Sequence, residues 1–312
     1  MGVFYGVTLA LAANLVTAIA LVIQKTIVSE ERASVCPSGH DSILSGTINR
    51  PPLGWGLCII AYLMLGLGYF IDILCLEYLS LSSVGALSAS QLIFSTMIGC
   101  FFMGEALSIW GGAGVICIIC GCVAMVMASP SAKRGSNDEG AIILWLVFTT
   151  VITMGLVAIA TLRERIWQSS KVLNSISDVS RFTLSLLPWV FAAAGGLSAS
   201  DTLLLSKALV NEKLIEWQII LTGAIILEIF IQLYLIKAAF ATAAAFDFTI
   251  SDPCVLISST FAVSTILIAT VCAGVVYGEF NEYAPIHWVI ICSGLISTTI
   301  GLCLLSWSRE KS

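Results

Sequence analysis

Apolar residues fill nine stretches of this chain, each about twenty residues long or longer, and polar residues collect in the joins between them. A helix needs roughly 20 mostly apolar residues to cross a bilayer. The pattern predicts helices at about 3–25, 54–79, 83–103, 108–128, 140–162, 182–206, 217–237, 254–277 and 286–307. One join departs from the rule. "AAFATAAAFDFTISDP" (238–253) is apolar, yet Asp247, Asp252 and Pro253 interrupt it, so it reads as a broken helix or as a loop packed against protein.

Composition agrees with the pattern. Of 312 residues, 58% are hydrophobic and 11% charged, with a mean hydropathy of +1.01, outside the balance of a soluble domain. The expected fold is all-α, a polytopic helical membrane protein whose surroundings are lipid. The net charge of −5 is dispersed and no basic cluster suits nucleic acid. Ten of the eleven Cys lie in apolar stretches and only Cys36 falls in an evident loop, so no disulfide framework is expected. "CIICGC" (117–122) places thiols close together without His, and reads as small apolar packing. No GxxxxGK[ST] loop indicates an ATP-driven pump, and nothing suggests an enzyme or a bound cofactor. The first span is too long, and "MGVFYG" too uncharged, for a cleaved signal peptide.

Lys and Arg set the orientation. With nine spans, ten of them fall on the side that carries the C-terminus, and only Lys133, Arg134, Lys207 and Lys213 fall on the other. The positive-inside rule puts the N-terminus outside or in a lumen and the C-terminus in the cytosol.

The chain also repeats itself. "LVIQKTIV" (21–28) is echoed by "LLLSKALV" (203–210), with Lys25 and Lys207 in register. "FFMGEAL" (101–107) is echoed by "VVYGEFN" (275–281), which aligns Glu105 with Glu279. Each half reads as four helices, residues 1–128 and 182–312, and 129–181 joins them through the fifth span. One extra crossing turns the second half over, so nine spans make an inverted repeat, a frequent transporter architecture with its site near midplane. Lys25 and Glu105 then lie on the cytosolic face and Lys207 and Glu279 on the external one. Charges at span ends usually reach for the interface, so these four read as helix-end anchors or structural ion pairs.

A Gly-Glu closing the third helix of a four-helix unit resembles the drug/metabolite transporter superfamily. Within it, "ANLVTAIALVIQK" (13–25), "EYLSLSSVGALSAS...FFMGEAL" (77–107) and "GGLSASDTLLLSK" (195–207) are similar to the NIPA-type magnesium transporters. The resemblance implies passage of magnesium, and by extension other divalent cations, across plasma or endosomal membranes. "IQLYLIKAAFATAAAFDF" (231–248) is more apolar than the polar stretch usual there.

The buried acids point to cations independently. A charge at the bilayer centre costs on the order of 3 kcal/mol, so embedded acids are candidates for function. They are Asp72 and Glu77 in the second span, Asp201 in the sixth and Glu228 in the seventh, with Asp247 and Asp252 at the start of the eighth. Every Lys and Arg lies at a span end or in a loop, which disfavours phosphorylated substrates. Asp72 and Glu77 are five residues apart, about 140° around a helix, and cannot share one face. Arranged by orientation, the acids form a ladder, with Asp72 and Glu228 as the expected metal contacts. Magnesium accepts one or two carboxylates at a time alongside neutral oxygens and retained waters. Asn14, Gln24, Ser88, Ser90 and Gln91 could supply the neutral oxygens. The alternatives are a proton-coupled exporter of organic cations or small metabolites, with a roomy aromatic cavity, and a non-transporting scaffold with a solid centre. A homodimer is left open.

Overall fold

The computed structural model describes residues 2–35, 53–102, 108–128, 139–170, 187–245, 253–279 and 284–310. All elements among them are helices. They are α1 (Gly2–Val35), α2 (Leu53–Cys75), α3 (Leu81–Leu87), α4 (Ser90–Phe102), α5 (Ile109–Ala128) and α6 (Glu139–Ser170), then α7 (Leu187–Asn211), α8 (Ile215–Ala245), α9 (Pro253–Val276) and α10 (Pro285–Glu310). The last two open on proline, whose missing N–H has no intrahelical partner to lose at that position. The ambiguous stretch after α8 is helical as far as Ala245; residues 246–252, with Asp247 and Asp252, lie outside the described residues.

Seven segments are long and apolar enough to cross a membrane: Gly2–Ile23, Leu81–Ile98, Ile109–Ala128, Gly140–Ile159, Ile215–Ala239, Ile257–Val276 and Pro285–Leu305. The chain is an integral, multi-pass helical membrane protein. Two of the nine expected stretches fall short of that measure. α2 offers the shorter apolar run Ile59–Cys75. α7 carries Ser198, Ser200, Asp201, Thr202, Ser206 and Lys207, all buried. Those side chains lower its hydropathy because α7 faces protein on nearly every side. The outward positions are instead bulky and apolar, such as Leu63, Phe101, Ile109, Leu144 and Ile215, as lipid contact requires.

Lipid tails are as apolar as leucine, so these helices associate through close packing rather than by escaping water. The broadest helix pair is α5 with α10, and glycines make it possible. A Cβ on Gly114 would come within 2.7 Å of the Gly301 carbonyl oxygen, and one on Gly301 within 2.6 Å of the Gly114 oxygen. Gly121 and Gly294 repeat the arrangement, at 2.6 and 3.0 Å. The two pairs run in opposite order along their helices, so α5 and α10 are antiparallel. Elsewhere α1 packs on α2 and α4, α7 packs on α8 and α9, and α3 packs on α9. Leu76, Leu81, Leu204 and Cys272 meet in one core where α7, α9 and the α2–α3 turn converge. The eight described cysteines are free.

Candidate functional site

The third apolar stretch, expected as one helix over 83–103, is broken. α3 ends at Leu87, Ser88 and Ala89 form a turn, and α4 begins at Ser90. A break within the membrane frees carbonyls that water cannot reach, so neighbouring side chains must take them up. Asn14 of α1 donates Nδ2–H to the Leu87 carbonyl at 2.9 Å. Cys122 of α5 contacts the Ala86 carbonyl at 3.2 Å, and the Ser88 hydroxyl donates to Gly85 O at 2.6 Å. The polar run "LSAS" at 87–90 is the sequence sign of this turn, legible only once Asn14 is seen beside it.

The break opens onto a cavity of about 80 Å3 between α1, α2, α4, α7, α8 and α9. Asp72 is the one charged side chain in its lining among the described residues. Around it stand the neutral groups of Asn14, Thr17, Tyr69, Ser88, Gln91, Gln232, Ser258 and Thr265. Leu65, Leu203, Leu233, Ile236 and Phe261 belong to the apolar wall. Tyr69 lies within hydrogen-bonding reach of Gln232 and close enough to Asp72 to feel its charge. Gln232 is 3% exposed, and its Oε1 has no hydrogen-bond partner. Asn14, Asp72, Ser88 and Gln91, singled out from sequence, meet here; Tyr69, Gln232 and Thr265 were not foreseen, because neutral residues on apolar helices give no warning of depth.

Glu77 lies elsewhere. α2 ends at Cys75, so Glu77 sits in the turn after it and is exposed, rather than in a helix reaching residue 79. Lys207 and Glu279 clasp this same turn from the second half of the chain. Lys207, 5% exposed, donates Nζ–H to Leu76 O at 2.7 Å and to Leu79 O at 3.4 Å, a cation on carbonyls of the turn that follows α2. Gly278 adopts φ 63°, a left-handed turn that glycine takes without strain. Glu279 follows it, accepting Leu81 N–H at 3.0 Å and the Ser82 hydroxyl at 2.6 Å where α3 starts. Burial pushes the Glu279 carboxyl above its ordinary range, and the Ser82 and Leu81 hydrogen bonds and the Lys207 charge oppose the shift. The Gly-Glu pair therefore has a local meaning: glycine to turn, glutamate to cap a helix 198 residues away.

Asp201 and Glu228 make a separate neighbourhood. The Ser198 hydroxyl donates to Glu228 Oε2 at 2.6 Å, joining α7 to α8. Asp201 is 2% exposed, lies within electrostatic reach of Glu228, and is faced by Trp145 and Thr149 of α6. Neither acid lines the cavity. The expected single ladder thus resolves into a cavity acid, an interhelical pair and an exposed turn acid. Asp247, Asp252 and Glu105, like the Lys25 side chain, lie outside the described residues. Among the described residues, no group of three or more His, Cys, Asp and Glu could hold a metal ion. A single carboxylate with neutral oxygens suits a passing ion better than a resident one. Compared with known proteins, the chain matches no family model, no curated protein and no solved structure.

Proposed function

We propose that this protein carries a cation across the membrane through the cavity beside Asp72, with magnesium the first candidate among divalent ions. The observation that carries this reading is that Asp72 lines a cavity together with several neutral polar side chains and, among the described residues, with no Lys, Arg or His. A carboxylate with neutral polar neighbours in a mostly apolar wall attracts cations and repels phosphorylated solutes. The space is several times the roughly 10–15 Å3 that one water needs, so an ion entering it can keep part of its shell, as an ion that dehydrates reluctantly requires. The choice of magnesium among cations rests on the resemblance to the NIPA-type transporters.

One further feature is in keeping with an inverted-repeat carrier. Residues 114 and 294, and 121 and 301, are each 180 apart, and each glycine packs on the counterpart of the other. Antiparallel glycine contact of that kind is compatible with a two-fold axis between α5 and α10. The halves differ where the cavity lies. Asn14 reaches the Leu87 carbonyl at the helix break, whereas Gly196 sits against the Phe261 carbonyl of unbroken α9. In the orientation read from Lys and Arg, the Lys207–Glu279 clasp closes the external side, and alternating access would release it.

The apolar part of the wall favours a second reading, a proton-coupled carrier of a small organic cation on the same fold. Reconstitution of the full chain into liposomes separates the two. Uptake of Mg2+ exceeding that of an alkylammonium ion supports the first reading. Uptake of the ammonium without Mg2+ flux overturns it in favour of the second, and no flux of either overturns both.

A further inference from the structure

α7 has two working faces. Ala199 and Leu203 line the cavity, and Asp201, between them in sequence, points away from it towards α6 and α8. At about 100° per residue, position 201 stands on the opposite side of the helix from 199 and 203. There Asp201 lies within hydrogen-bonding reach of Thr149 and Trp145 of α6, yet its Oδ1 and the buried Trp145 Nε1 make no close hydrogen bond. Glu228 brings a second carboxyl group from α8, fixed by Ser198. α9 contributes the Cys272 thiol. α6 contributes Trp145 and Thr149, neither of which titrates in the ordinary range. On α7 itself Lys207 is six residues further on and already engaged with the Leu76 carbonyl, with Glu279 beside it. On the cavity side α2 carries Asp72 and Cys75.

Two carboxylates in an apolar interior cannot both stay ionised without a cation between them, and the smallest cation that joins a carboxyl pair is a proton. We propose that Asp201 and Glu228 form a proton-binding site on the far face of α7, distinct from the cation cavity. This adds H+ as a second ligand to the proposed carrier, and it stands or falls independently of what the cavity carries. A single helix with the cavity on one face and the proton on the other gives a direct route for coupling. Movement of α7 that alters the wall at Ala199 and Leu203 also alters the surroundings of Asp201.

Trp145 serves as a built-in reporter. Tryptophan emission of the purified full chain is titrated against pH, and the same titration of Trp145→Phe is subtracted to leave the Trp145 signal. The expected result is a sigmoidal change that Asp201→Asn abolishes, that Glu228→Gln moves to lower pH by removing the like charge, and that Asp72→Asn leaves in place. A signal that does not change with pH, or one unaltered in Asp201→Asn, overturns the proposal. Should Asp201→Asn fail to fold, Glu228→Gln decides: a midpoint unchanged from wild type overturns it equally. Magnesium flux is not read at any point, so failure here leaves the cavity reading intact, and failure of flux leaves this one.

Discussion

Replacing Lys207 by Met should loosen the clasp between the halves while leaving the core filled. Methionine keeps most of the aliphatic stem and removes the ammonium that donates to Leu76 O at 2.7 Å and Leu79 O at 3.4 Å. A hydrogen bond from a charged donor contributes about 1.5–3 kcal/mol, and a buried acceptor left unpaired costs about 1–3 kcal/mol. These overlap, and Glu279 also loses its nearby positive charge, so the expected loss is about 2–4 kcal/mol. The assay is equilibrium unfolding of the purified full chain in mild detergent, run as a cycle of Lys207→Met, Glu279→Gln and the double variant. Residues that act as one unit should show a coupling of about 1 kcal/mol or more. Full additivity, or a Lys207→Met loss within about 0.5 kcal/mol as at an ordinary surface site, would refute the clasp.

The α5–α10 crossing gives a second test. Gly121→Val directs new atoms at the Gly294 carbonyl, 2.6 Å from a Cβ, and at Thr298 N, 2.8 Å away, both backbone and unable to yield. Unfolding should show a loss of about 1–3 kcal/mol or more from overpacking, whereas Gly155→Ala, with nothing within 4 Å of its Cβ, should be neutral or gain up to about 1 kcal/mol in helix propensity. Glu279 predicts a pH dependence. Burial raises its folded value, so the folded chain holds more protons than the unfolded one between the two values. Its contribution to stability is full below the unfolded value and is lost as pH rises through that window. Unfolding measured across pH should show this decline in wild type, and Glu279→Gln should flatten it.

The helices were legible because lipid imposes one rule on every outward position, and length does the rest. The break at Ser88–Ala89 was not, because "GALSAS" satisfies a helix as well as a turn until Asn14 takes up the Leu87 carbonyl from 73 residues away. Lys207 and Glu279 were recognised as anchors, but their partner is the turn 76–82, which no local pattern could name. Asp72 was singled out as an embedded acid of a helix expected to reach residue 79; α2 ends at Cys75, and what sets Asp72 apart is its place in the cavity lining. Its grouping with Glu228 and Asp201 assumed that embedded acids share a path. Helix azimuth decides that, and α7 turns Asp201 away from the cavity wall at Ala199 and Leu203.

The central claim is that Asp72 carries the cation, and initial Mg2+ flux through equal amounts of folded wild type, Asp72→Asn and Glu77→Gln in liposomes tests it most directly. Asparagine keeps the shape of the wall and removes its charge. Losing a charge-assisted contact of about 1.5–3 kcal/mol should lower flux roughly ten- to hundred-fold in Asp72→Asn. Glu77→Gln, exposed in the turn beyond α2, should run near wild type. Flux in Asp72→Asn equal to wild type, in protein that folds normally, would contradict the account.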